Sequence, residues 1–168
     1  MAKKSKKLTY SAAIAALYVA LSLMSGALGL ASGAVQVRFS EALCILPIYS
    51  AYAVPGLFCG CLITNLILSG SVIDVIFGSL ATLIGAMLTR VIGKERKILA
   101  LCAPIASNTI IIPFVLKYAY GIGDAMWLLA LGIFVGEVIS CGFFGMLLDR
   151  MLRAYPELVK LIEIEKKR

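Results

Sequence analysis

Residues 41–70 read EALCILPIYSAYAVPGLFCGCLITNLILSG, an apolar run in which Glu41 is the sole charged residue. One membrane span takes roughly 20 residues, so this run is long for one span and short for two. Charge on either side of it decides. All but Arg38 and Lys117 of the 16 Lys and Arg fall into three clusters. These are Lys3, Lys4, Lys6 and Lys7, then Arg90, Lys94, Arg96 and Lys97, then the stretch from Arg150 to Arg168. Lys and Arg collect at the cytoplasmic ends of membrane helices, so an even number of spans must separate the first two clusters. One span in 41–70 makes three, and two make four. The run therefore reads as two spans, with a break near Ala53-Val54-Pro55-Gly56, where proline and glycine favour a turn.

Working outward, the chain reads as an all-α membrane protein of six transmembrane helices with both termini cytoplasmic. The spans fall at about 8–31, 41–53, 55–70, 72–92, 98–119 and 125–149 of a single domain, 1–168, with 150–168 a cytoplasmic tail. The two middle helices must be short, tilted or shielded by protein. Composition agrees: 61% of residues are hydrophobic and mean hydropathy is +0.99. Only 15% are charged, against about 25% in soluble domains. A net charge of +7 sits at helix ends rather than along one amphipathic face. That pattern orients a membrane protein and argues against nucleic acid. The basic start and the small residues at Ala31-Ser32-Gly33-Ala34 imitate a secretory signal. Its apolar stretch, Leu8 to Ala31, exceeds the usual length of about 7–15 residues, so a retained first helix is expected. No internal repeat is visible, which leaves an inverted-repeat transporter unsupported.

Several chemistries are excluded. With no histidine, the commonest general base, the Ser-His and Cys-His pairs and imidazole metal ligands are gone. Five cysteines (Cys44, Cys59, Cys61, Cys102 and Cys141) lie in apolar runs without a C-x-x-C pair, and read as small buried hydrophobes. The spacing Cys59-Gly60-Cys61 is a weak metal hint; neither a metal nor a cofactor is expected. There is no G-x-x-x-x-G-K-[ST] loop and no G-x-S-x-G. The chain is not expected to be an enzyme, nor to hydrolyse ATP itself.

Ionisable and amide groups inside a membrane are costly and default to a functional reading. Arg38 and Glu41 fall at the outer start of helix two, Asn65 near the outer end of helix three, and Asp74 at the outer start of helix four. Asn108 is mid-depth in helix five, and Glu137 lies about 13 residues into helix six, roughly 20 Å deep at 1.5 Å per residue. None lies near the cytoplasmic face, so together they describe a pocket opening outward. Simpler roles compete. Arg38 and Glu41 can form an interfacial ion pair, Asp74 can cap a helix, and Asn65 and Asn108 can be interhelical glue. Glu137, flanked by Phe134, Val135, Val138 and Ile139, is hardest to explain as structure. Phe77, Trp127 and Tyr49 are candidates to stack on a flat ligand, against interface anchoring for Trp127 and core packing for the others. Ala12, Ala16 and Ala20 form a small-residue stripe, suited to internal packing or to an external partner.

Four motifs then carry a resemblance. Val35-Gln36-Val37-Arg38-Phe39-Ser40-Glu41-Ala42-Leu43, Pro55-Gly56-Leu57 leading to Asn65, Asp74-Val75-Ile76-Phe77-Gly78-Ser79-Leu80-Ala81-Thr82, and Gly136-Glu137 resemble, in this order, those of the QueT family. The similarity runs over helices one to six. It implies the substrate-binding (S) component of a bacterial energy-coupling factor transporter in the cell membrane. Such a component captures queuosine precursors, which are deazaguanine bases, from outside with high affinity. It also implies partners, a transmembrane T component and two ATPase subunits, and a docking role for the stripe Ala12, Ala16 and Ala20. Glu137 would accept the N–H and amino group of a guanine-like edge as a pair. Asp74 or Glu41 would meet an aminomethyl cation, Asn65 and Asn108 the remaining ring edge, and Arg38 a carboxylate. Other readings are an S component for a flavin or thiamine, a dimeric proton-coupled exporter using Glu137, and a purely structural subunit.

Overall fold

The computed structural model describes residues 2–31, 35–69, 71–93 and 95–162. Lys94, Lys166, Lys167, Arg168 and the small residues Ser32, Gly33 and Ala34 lie outside them. All regular elements among the described residues are helical. They are α1 (Ala2–Ala27), a 3-10 helix (Phe39–Ile48), α2 (Ala53–Leu68), α3 (Val72–Ile92), α4 (Lys97–Tyr118), α5 (Met126–Glu137), a π segment (Val138–Phe144), α6 (Gly145–Ala154) and α7 (Pro156–Ile162). The stretch Met126–Ala154 runs on as one 29-residue apolar helix. With Ser5–Ala27, Val72–Ile92 and Lys97–Tyr118, it makes four helices long and apolar enough to cross a bilayer. The two shorter ones, Phe39–Ile48 and Ala53–Leu68, complete six.

Residues 41–70 hold two elements, but the break falls at Tyr49–Tyr52, ahead of the Pro55-Gly56 pair. Pro55 sits in the first turn of α2, where a helix has no intrahelical partner for an N–H and proline loses nothing. The first of the pair is not an α-helix. Pro47 lies inside it, and its hydrogen bonds are short-range, as in Glu41 N–H to Arg38 O at 3.1 Å. A 3-10 run of this length is uncommon. It is tolerated here because Ser40, Glu41 and Leu43–Pro47 are all buried, so protein rather than lipid surrounds it. The Arg90 guanidinium donates to the carbonyls of Pro47 and Ile48, both at 3.1 Å, and so satisfies its C-terminal end.

Small residues set the helix contacts. Gly56 and Gly60 of α2 lie against α1: a Cβ at 56 would be 2.7 Å from the Ser11 carbonyl oxygen, and one at 60 would be 2.7 Å from Tyr18 Cβ. This G-x-x-x-G face lets the two backbones approach closely. Pro104 in α4 has no N–H for the Ala100 carbonyl. Thr89 of α3 donates its hydroxyl to that oxygen at 3.1 Å, turning the gap in one helix into a bond to its neighbour.

The charge clusters meet at one end. Lys7 Nζ stands 4.7 Å from the centre of the Tyr52 ring and Lys97 Nζ 4.9 Å from that of Tyr49. Arg153 pairs with Asp149, which accepts the Tyr49 hydroxyl. Members of all three clusters therefore surround the turn at Tyr49–Tyr52. The polar residues picked out in the sequence lie toward the other end.

Candidate functional site

At that other end a cavity of about 690 Å³ opens between the ends of α1, α2, α3 and α4 and the start of α5. Its wall includes Ser22, Gln36, Arg38, Thr64, Asn65, Asp74, Tyr120 and Asp124, with apolar Leu68, Ile112, Leu116, Ile122 and Leu129 between them. Below it a narrow cleft of about 20 Å³ continues inward, lined by Glu41, Cys61, Thr82, Asn108 and Glu137. Gln36, Arg38 and Ile112 line both, so the cleft is the floor of the cavity.

The two acids of the floor and the amide between α4 and α5 come from three elements. The 3-10 helix supplies Glu41, which accepts the Tyr18 hydroxyl on one oxygen and the Cys44 thiol at 3.2 Å on the other. Helix α4 supplies Asn108, whose Nδ2 donates to Glu137 Oε1 at 2.9 Å. Glu137 closes α5, and the π segment starts at the next residue. Such a segment shifts the register of the side chains that follow and frequently marks a functional site. Here it brings Cys141 between the two acids, 3.3 Å from Glu137 Oε2 and 3.4 Å from the Glu41 carbonyl oxygen. Every described polar contact to the two carboxylates comes from a phenol, thiol or amide, and both acids are buried. Donor atoms of Glu41, Cys44 and Cys141 lie within 4.8 Å of one another, close enough to share a cation. Both thiols lie at hydrogen-bond distance from oxygens of the two acids, Cys44 from the Glu41 carboxylate and Cys141 from the Glu41 carbonyl and the Glu137 carboxylate.

Higher up, Asp74 is the third residue of α3 and does not cap it; Ser71 occupies the N-cap. Its carboxylate accepts the Tyr120 hydroxyl at 2.9 Å. Burial, and then the adjacent Asp74 charge, raise the Tyr120 phenol above its ordinary value, so it remains a donor. Asn65 ties α2 to α3 by donating to the Asp74 carbonyl at 3.3 Å while still facing the cavity. Arg38 stands where cavity narrows to cleft. Desolvation opposes its charge, the carboxylates of Asp74 and Glu41 favour it, and its pKa is raised.

The connection before the 3-10 helix is pinned over this floor. The Arg38 N–H donates to Ser140 Oγ at 3.0 Å and the Phe39 N–H to Ser25 Oγ at 2.9 Å. Gly136 permits this seating, because a Cβ there would overlap the Gln36 carbonyl.

Six of the nine residues read as possible ligand contacts thus converge: Glu137, Asn108, Asp74, Asn65, Glu41 and Arg38. Phe77 and Trp127 do not. They are 49% and 69% exposed on the outer surface, and neither lines the cavity. The face of α3 that packs inward carries Asp74, Gly78, Thr82, Gly85 and Thr89, and Phe77 lies off it. Tyr49 is at the opposite end, bonded to Asp149.

Gln36, Tyr120, Asp124 and Thr64 were not singled out from the sequence. Thr64 is the most informative. Its side chain is 3% exposed and lines the cavity, yet its hydroxyl has no hydrogen-bond partner among the described residues. A buried hydroxyl left unpaired costs roughly 1–3 kcal/mol, and this one sits within the cavity wall. Ala12, Ala16 and Ala20 are exposed and line a shallow groove of about 850 Å³ between α1 and α2. Internal packing of α1 runs instead through Ser11, Ile14, Ala15 and Tyr18.

Searches of the curated proteins and of solved structures returned no match to this chain. A family model described as QueT transporter matches residues 8–154, from the first apolar helix to the end of α6. With four long apolar helices and two shorter ones around a polar cavity, this multi-pass membrane protein belongs to the QueT transporter family.

Proposed function

We propose that this transporter is the S component of a bacterial energy-coupling factor system, and that its cavity captures a queuosine precursor, a deazaguanine base, from outside the cell. One observation carries the reading. Two buried carboxylates, Glu41 and Glu137, form the floor of a cavity that opens at the end opposite the basic clusters. Lys and Arg mark the cytoplasmic end, which makes that mouth external and both termini cytoplasmic.

The floor suits a planar ring with adjacent N–H donors. Asn108 and the Cys141 thiol each engage one oxygen of Glu137, and the remaining lone pairs of the carboxylate can take an N–H and an amino group. Charge-assisted hydrogen bonds of this kind are roughly twice as strong as neutral ones. Asn65 and Arg38, and the Thr64 hydroxyl once the wall shifts, would meet the ring's other polar atoms. Asp74 and Asp124 at the mouth favour a precursor that carries an aminomethyl cation. Because the floor cleft is narrow, the connection through Gln36 and Arg38 must shift for a ring to reach Glu137.

The T component and two ATPase subunits supply the energy in this reading, with the groove of Ala12, Ala16 and Ala20 as the docking face. Calorimetry on the purified chain against deazaguanine bases, guanine, riboflavin and thiamine tests the ligand. Tight binding of a deazaguanine with weak binding of guanine is the expected result. Preference for riboflavin or thiamine would keep the S-component role and discard the ring chemistry. Silence from folded protein would discard capture altogether.

A further inference from the structure

At the basic end, a separate crevice of about 320 Å³ opens between α4 and α6 over the 3-10 helix. Its floor is apolar, made by buried Ile45 and Leu101, and its flanks are exposed Ile98 and Met146. Three cations, Lys97, Arg150 and Arg153, line it against one carboxylate, Asp149. Two of the cations are held in place from behind. Lys97 lies over the Tyr49 ring, and Arg153 is paired with Asp149, which accepts the Tyr49 hydroxyl.

We infer that this crevice binds one anionic phospholipid, its phosphodiester among Lys97, Arg150 and Arg153 and the first part of an acyl chain against Ile98, Leu101 and Met146. The combination selects the ligand. A free anion has no use for the apolar floor, and a zwitterionic lipid brings a cation that the three basic groups repel. Ile98 and Met146 belong to the lipid-facing surface of long apolar helices, so the crevice is continuous with the bilayer. Basic pockets between membrane helices at the cytoplasmic side are known places for anionic headgroups, and that leaflet carries the anionic lipid. The site is distinct from the transport cavity and shares no lining residue with it.

The test uses the full chain in nanodiscs of phosphatidylcholine with or without phosphatidylglycerol, followed by delipidation and native mass spectrometry. Wild-type protein should retain one phosphatidylglycerol and unfold at a higher temperature with it than without it. Retention should fall roughly fivefold for each cation removed, in Arg150→Gln and then in Lys97→Gln with Arg150→Gln. Lys6→Gln, at the same end but outside the crevice, should change nothing. Arg150 is exposed, so the single variant is expected to keep its unfolding midpoint in phosphatidylcholine, which separates lost binding from lost folding. Equal retention of the two lipids, or undiminished phosphatidylglycerol on Arg150→Gln, would overturn the assignment. Inorganic phosphate that reproduced the thermal shift alone would overturn it too, in favour of a soluble anion.

Discussion

Glu137 and Thr64 touch the same cavity but differ in what their loss should do. Glu137→Gln keeps the shape and the Asn108 contact while removing the charge. A hydrogen bond to a charged group contributes about 1.5–3 kcal/mol, so ligand affinity measured by calorimetry should fall roughly tenfold to a hundredfold. Thr64→Val removes a hydroxyl that no described residue satisfies. Its unfolding midpoint should stay the same or rise, while affinity drops about fivefold, for a neutral hydrogen bond worth ~1 kcal/mol. A midpoint that fell instead would show the hydroxyl to be bonded within the protein. The sequence could nominate Glu137 because an acid among Phe134, Val135, Val138 and Ile139 has few structural explanations. It could not nominate Thr64, since threonines are common in membrane helices and only the surroundings reveal one without a partner.

Between α3 and α4, the bond from Thr89 to the Ala100 carbonyl compensates for Pro104. Thr89→Val should leave that carbonyl buried and unpaired, at a cost of roughly 1–3 kcal/mol. A lower unfolding midpoint with unchanged ligand stoichiometry is the expected reading. Gly136→Ala acts on the other side of the molecule. It forces the Gln36 backbone off α5, so the connection should become more protease-sensitive and ligand dissociation faster. Element number was legible in the sequence because charge parity demanded two pieces within residues 41–70. The 3-10 form of the first piece was not, since it depends on being enclosed by protein. Helix azimuth was the other gap. Depth along a helix follows from residue count, which brought Asp74 and Asn108 to the cavity. Direction follows from the small and polar face, and Phe77, sharing the depth of Asp74, points elsewhere.

For the whole molecule, the sidedness of the basic end is testable by thiol labelling in intact cells. In a background with exposed Cys59 and Cys102 replaced by alanine, Asp124→Cys should react with a membrane-impermeant maleimide. Glu95→Cys should react only after the cells are opened. The reverse pattern would invert the topology and remove the argument that the cavity faces outward. Polar residues from distant parts of the chain meet in this fold because the 3-10 helix sits inside the bundle, with α1, α3 and the π segment against it. That burial has a consequence for biogenesis. Ten residues at about 2.0 Å each extend ~20 Å, well short of a hydrocarbon layer of about 30 Å. Release of this segment into lipid by itself is therefore not expected. The expected course is that the segment waits until α2 has been synthesised, and that the newly made chain commits to its final threading when the pair leaves together.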